Sequence, residues 1–420
     1  MMPEHPAPAG MAGIVGPGGL TPGEPSAAPA ARPAESGGDA GAVASPTVVL
    51  PEHPRGPMPA RLPAGTALLR VAYRIDQGEE CFHLELHTDD DLQITVTEPD
   101  LRTQRRPELS LARAAAEGRW LQFLLRLTSW SENKTTLETW LTALRRRYED
   151  RLRLIIWDET GFEIPWELFA HRAGLPGELG WLGADVEIVR WTSPLSETAF
   201  DWWGTDAAEC HGPVLSFVDS GLPMTLNGLF ERWSCEDSKT MDALLTSLAE
   251  DGRGVGLVHV WTHGTVGDTG DEATLGGLSR DRIGAYRMGA LRAGRTLVLL
   301  NACSGAQLMG DTDFGERASR SFALIFLRRG APGVIATAGQ VEPAFSRDLL
   351  EHLLTVAAAG EVRLSAVLRD YRARLAAGVG DLTRAGTDLY PLRAFIYGVM
   401  YQYIGRLDTT LRLQPRGEPG

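Results

Sequence analysis

The stretch TLVLLNACSGA, residues 296–306, sets four consecutive aliphatics, Leu297 to Leu300, ahead of Asn301, Ala302 and Cys303. A short uninterrupted apolar run bounded by turn residues is the pattern of a strand buried on both faces. Ser304 and Gly305 supply the turn. Cys303 then has two readings. It is either a small core residue that happens to end a strand, or a nucleophile that the strand delivers to a site.

Similar runs recur on both sides: RLIIW (153–157), VEIVRW (186–191), PVLSFV (213–218), GLVHVW (256–261) and GVIATA (333–338). Helical stretches separate several of them, among them SKTMDALLTSLAE, RASRSFALIFLRRG and RDLLEHLLTVAAAG. Apolar strands alternating with helices predict an α/β fold: a mostly parallel sheet flanked by helices on both faces. In such a sheet, ligands collect at the carboxyl ends of the strands. Two core strands, consecutive in the chain, end in reactive residues. GLVHVW runs into Thr262-His263-Gly264, and TLVLLNA runs into Cys303-Ser304-Gly305.

A thiol attacks poorly until it is deprotonated, and a nearby imidazole makes and holds the thiolate. His263 and Cys303 are therefore candidate catalytic residues. The glycine after the histidine lets the chain turn sharply, and the amides of Gly264 and Cys303 are candidate oxyanion donors. His259 lies inside its strand between Val258 and Val260, which predicts packing or hydrogen bonding instead of chemistry.

Outside this region the chain divides by composition. Residues 1–65 hold 14 of the 26 prolines and show no apolar periodicity, the signature of a disordered arm. Residues 66–150 read as a small α+β module. Its strands are ALLRVAYRI, CFHLELHT and LQITVTEP (92–99), and two helices follow, the second with Thr135 and Glu138 at capping-box spacing. Residues 151–410 hold the alternating strands and helices, and 411–420 form a tail.

A net charge of −13 argues against a nucleic-acid-binding surface. Four scattered cysteines, with no C-x-x-C pair, fit neither a disulfide scaffold nor a zinc knuckle and match a reducing, cytoplasmic setting. No run is long enough to cross a bilayer, and no basic flank followed by an apolar run stands at the start, so no secretory signal is expected. No catalytic metal or other cofactor is expected, since no His, Asp and Glu set has ligand spacing.

HVWTHG, followed some forty residues later by LVLLNACSGA, resembles the histidine and cysteine motifs of CHAT-domain cysteine peptidases, prokaryotic relatives of caspases and separases. GFEIPWELF (161–169), SFALIFLRRGAPGVIATAG (321–339) and LSAVLRDYRARL resemble further blocks of that family, and PLRAFIYGVM its closing strand. The resemblance spans roughly residues 150–406. It implies a caspase-like fold, a His263 base and a Cys303 nucleophile, with His259 matching a histidine that often precedes the catalytic one. It departs from the family where ATAGQVEP lacks a tryptophan, and tetratricopeptide repeats are absent.

The resemblance further implies a setting in bacterial defence signalling. There the enzyme cleaves a dedicated protein partner, a pore-forming protein or second protease encoded nearby, once a sensor docks on residues 66–150. The rival expectation is a catalytically inactive caspase-like adaptor used for assembly. Asp268, Asp271, Asp311 and Asp313 flank the expected cleft as candidate substrate-binding acids, which would select a basic residue. Gly264, Gly267 and Gly270 lack the order of a phosphate-binding loop, and Arg145 to Arg147 read as an exposed helix face.

Overall fold

The computed structural model describes residues 62–88, 104–172, 179–192, 204–223, 226, 228–265, 273–293, 295–307, 309–311, 316–380, 382 and 389–417. Residues 1–61 of the expected arm, the LQITVTEP strand and three of the four candidate acids, Asp268, Asp271 and Asp313, lie outside them, while Leu62 at the arm's end is buried.

Eleven strands make one sheet. In chain order they are β1 (Thr66–Asp76), β2 (Glu79–Thr88), β3 (Gln104–Arg105), β4 (Arg153–Asp158), β5 (Glu187–Thr192), β6 (Val214–Val218), β7 (Cys235–Ser238), β8 (Leu257–Trp261), β9 (Leu297–Asn301), β10 (Gly333–Thr337) and β11 (Tyr401–Gly405). Their order across the sheet is β7-β6-β8-β9-β10-β11-β5-β4-β1-β2-β3. The five strands from β7 to β10 are mutually parallel. β11 is antiparallel to β10, and it is parallel to β5, as β5 is to β4 and β4 to β1. The antiparallel β10–β11 seam thus joins two parallel blocks, and β2 and β3 add an antiparallel edge beyond β1. The expected α/β architecture is present.

Among the described residues the α-helices of six residues or more are α1 (Leu111–Glu117), α2 (Trp120–Glu132), α3 (Thr135–Tyr148), α4 (Met241–Ser247), α5 (Arg280–Ala285), α6 (Phe322–Arg328), α7 (Pro343–Ala357), α8 (Leu364–Ala376) and α9 (Tyr390–Met400). Alternation along each strand sends side chains to two layers. Leu68, Ile155, Val189, Leu257, Leu299 and Ile335 face a core shared with α7 and α8, which runs under both halves of the sheet. On the opposite face, Val258, Val298, Leu300 and Val334 pack against α4, α5 and α6. There Ala67, Leu69, Leu154, Ile156 and Ile188 pack against α3.

Three local expectations are corrected. Residues 66–88 do not form a sheet of their own: β1 pairs with β4 from Thr66↔Arg153 to Val71↔Asp158, extending the main sheet. Residues 53–420 form one compact unit. PLRAFIYGVM is helix α9, because Pro391 sits in its first turn, where a missing N–H costs nothing, and its apolar residues bury between α1, α2 and α7. The strand is the next five residues, YQYIG. The capping box is not made: Lys134 is the α3 N-cap residue, with no side-chain capping bond to the helix, and Glu138 instead accepts from the Arg172 amide at 3.3 Å.

Helix formation in RASRSFALIFLRRG begins only at Phe322, where Ser321 accepts from the Leu324 amide at 3.2 Å. The Glu316–Arg320 run before it is a strand paired with Met309–Asp311. The β1–β2 hairpin turns on Gln77 and Gly78, both with positive φ, as a two-residue turn between twisted strands requires. Among the described residues no helix is long and apolar enough to cross a membrane.

Candidate active site

β8 and β9 are adjacent and parallel, with Trp261 opposite Asn301. His263 and Cys303 each lie two residues beyond that pair, so both emerge at the same level of the sheet. The Thr262 amide, donating to the Asn301 carbonyl at 3.2 Å, carries the register past the last strand residues. The approach beyond is closer still. A Cβ at Gly264 would collide with the Cys303 carbonyl oxygen and sit 3.3 Å from its carbonyl carbon and 3.4 Å from its amide nitrogen. Only glycine brings the His263 loop against the Cys303 main chain. His263 is exposed and Cys303 half-buried, so the base is open to solvent and the thiol partly sheltered.

The turn that carries the thiol is tied to β10. The Ser304 amide donates to the Gly339 carbonyl at 2.9 Å and the Ala306 amide to the Thr337 carbonyl at 2.8 Å. The Thr337 hydroxyl donates to the Ala302 carbonyl. Ser304 has φ +58, a left-handed conformation that costs a side chain of this kind about 1 kcal/mol or more and persists only where its surroundings enforce it. Among the described residues no main-chain acceptor takes the Cys303 amide. The Gly264 amide is also turned away from its neighbouring strand. The Gly276 amide bonds the His263 carbonyl at 3.1 Å, which makes Gly264–Leu275 a non-hydrogen-bonded antiparallel pair.

Beneath the site lies a polar knot. His259 is fully buried, with Nδ1 3.1 Å from the Ser216 hydroxyl and Nε2 3.1 Å from the Asn301 side-chain nitrogen, and its ring packs on Phe230. Asn301 donates to Nε2, so the proton sits on Nδ1 and is given to Ser216. Burial pushes this imidazole down to about 3. It is a neutral hydrogen-bonding post beneath the site.

Sequence reasoning missed Asp219. It follows β6, and its amide donates to the Trp261 carbonyl at 2.8 Å. Its carboxylate accepts from the Thr262 hydroxyl at 3.0 Å and the Gly221 amide at 2.9 Å. It thereby fixes the residue next to His263 and stands on the wall of a cavity of about 650 Å³ that also includes Glu231 and Asp237. An acidic residue at the exit of VLSFV is the signal that could have found it. Of the four acids named from sequence, Asp311 lies on the Met309–Asp311 strand, and the other three are outside the described residues.

On the other side of the thiol, the Ala338 amide donates to the Met400 carbonyl at 2.8 Å, holding α9 against the loop that follows β10. The Tyr397 hydroxyl donates to Glu342 at 3.2 Å. Burial, and then the negative charge of Glu342, push the Tyr397 phenol up to about 12, and a thiolate at Cys303 pushes the same way. Tyr397 therefore stays a neutral donor near the nucleophile.

The PWELF glutamate has a different task. Glu167 is buried and pairs with Arg190 of β5, with Nε to Oε1 at 2.9 Å, and it lies 4.0 Å from Arg372 of α8. Burial works to raise its carboxyl, but Arg190 prevails and holds it below the ordinary value. Arg372 in turn donates to the Tyr401 carbonyl at 2.6 Å. This cluster locks β5, α8 and β11 together at the seam.

The family model described as CHAT domain matches residues 228–381, a span that contains both His263 and Cys303 and excludes the PWELF segment. The resemblance read from the two motifs holds over that span. A search of the curated proteins found no match. Among solved structures, the Arg specific cysteine proteinase gingipain R is similar at 12% identity and a TM-score of 0.42, over 67% of this chain and 69% of that one. The Porphyromonas gingivalis RgpB pro- and mature domains match at 12% and 0.42, over 67% and 70%. The Saccharomyces cerevisiae separase–securin complex matches at 13% and 0.38, over 65% of this chain and 17% of that one.

Proposed function

We propose that the chain is a cysteine endopeptidase with a His263–Cys303 dyad. The observation that carries this reading is the pair of adjacent parallel strands, in register to their ends, that deliver an imidazole and a thiol to one level, with Gly264 packed on the Cys303 main chain. His263 takes the thiol proton, and the sulfur attacks a peptide carbonyl. The amides of Cys303 and Gly264 hold the oxyanion. His263 returns the proton to the leaving amine, and the thioester forms. Water then gives a proton to His263 and attacks the thioester, releasing the new carboxyl end and the thiol.

The acidic cavity beside Thr262 supports a preference for a basic residue next to the cleaved bond, with Asp219, Glu231 and Asp237 as its described acids beside those named from sequence. The physiological substrate in this reading is a dedicated protein partner in a cytoplasmic bacterial defence system, with a sensor engaging residues 66–150. A peptide with a carboxyl-terminal electrophile tests the chemistry. It is expected to label Cys303 in the wild type and nothing in Cys303→Ala. Absence of labelling in both would favour the catalytically inactive adaptor.

A further inference from the structure

We infer that residues 414–417 form a strap whose Arg416 occupies the acidic cavity as an in-chain competitor of a substrate's basic side chain; the inference rests on reading that cavity as a substrate subsite. Leu413 is buried and anchors the segment in the core. Beyond it, the Gln414 amide donates to the Gly212 carbonyl at 2.9 Å, and the Ser234 amide donates to the Gln414 carbonyl at 2.9 Å. The Arg416 amide donates to the Arg232 carbonyl at 2.9 Å, and Trp233 and Pro415 form an antiparallel bridge. The segment is therefore added as a short strand along residues 232–234, the approach to β7. That path leads along the rim of the cavity.

Among the described residues the cavity wall holds three carboxylates, Asp219, Glu231 and Asp237, and one cation, Arg416. Among the described residues none of the three carboxylates has a Lys or Arg ion pair. Arg416 is exposed and pairs with no carboxylate there either. Its main chain is held by the Arg232 carbonyl, and its exposed guanidinium lines the same cavity as the acids. A tethered cation competes at an effective concentration in the millimolar range. An incoming basic side chain must displace it, whereas a neutral one gains nothing from its removal. Access is thus set by a single side chain on a strand that the fold holds in place.

The test uses the full chain carrying Cys303→Ala, so that binding is read without turnover, with benzoyl-arginine amide titrated by calorimetry. Arg416→Ala is expected to tighten binding about threefold to tenfold, Arg416→Glu more, and Arg416→Lys to stay near the parent. A benzoyl-leucine amide control is expected to be indifferent to all three. Equal affinity in the parent and Arg416→Ala, weaker binding in Arg416→Ala, or no binding of the arginine amide in any variant would each overturn the strap. Turnover is scored separately with Cys303 intact. Failure of every variant to cleave, with the binding order as expected, would count against the peptidase reading and leave the strap standing.

Discussion

At the scale of single residues, the site depends on contacts too close for ordinary side chains. Gly264 has space for a hydrogen and no more, because the Cys303 carbonyl fills the place of a Cβ. Gly264→Ala must push the two loops apart, and a displacement near 1 Å at reacting groups costs about 100-fold in rate. The expected outcome is a labelling rate of Cys303 reduced to that extent with little change in melting temperature; an unchanged rate would show that the close approach has no catalytic consequence. His259 makes a second prediction, for acid stability. Its folded value of about 3 is below the ordinary 6.5, so the unfolded chain binds a proton first. Its contribution is complete above pH 6.5 and is lost progressively from there down to about pH 3, by up to about 1.4 kcal/mol per pH unit. Denaturant melts of the wild type and His259→Gln across that window are expected to converge as pH falls. The placement of His263, Gly264 and Cys303 beyond the ends of core strands was legible because each follows an apolar run. Asp219 was not, because its meaning depends on β6 lying next to β8, which chain order alone does not reveal.

At the scale of elements, the buried strands were legible from their unbroken apolar runs: LVHVW, LVLLN and GVIAT are buried throughout. Errors fell where local pattern and tertiary context disagree. PLRAFIYGVM is rich in strand formers, yet its apolar residues lie on helical spacing and bury between other helices. Thr135 and Glu138 have the right spacing for a cap, but Glu138 is drawn off by the Arg172 amide. The seam is where one residue governs several elements. Glu167 is shared by Arg190 and Arg372, and removing its charge leaves two guanidiniums buried without a counterion. Glu167→Gln is therefore expected to lower stability by about 3–5 kcal/mol. Urea unfolding measures this, and a loss under 1 kcal/mol would mean the arginines find other partners.

At the scale of the whole molecule, residues 66–150 read from sequence as a module preceding the main domain, while the structure builds β1 into the main sheet. Sequence shows where strands are but not which strand lies beside which, and the β1–β4 pairing joins residues more than eighty apart. A chain restricted to residues 151–417 would expose one edge of β4 and the apolar side chains that meet α3. It is expected to lack a cooperative thermal transition; a sharp one would restore the separate module. The central claim, that Cys303 is a nucleophile activated by His263, has an internal control in Cys235. That thiol is half-buried but is pushed up to about 12 by burial and then by Asp237. The most direct measurement is mass spectrometry of the intact chain and its peptides after treatment with a basic peptide electrophile, for wild type and His263→Ala. The expected result is one adduct, on Cys303, formed at least 100-fold more slowly without His263. Labelling of Cys303 no faster than Cys235, or at the same rate in both proteins, would contradict it.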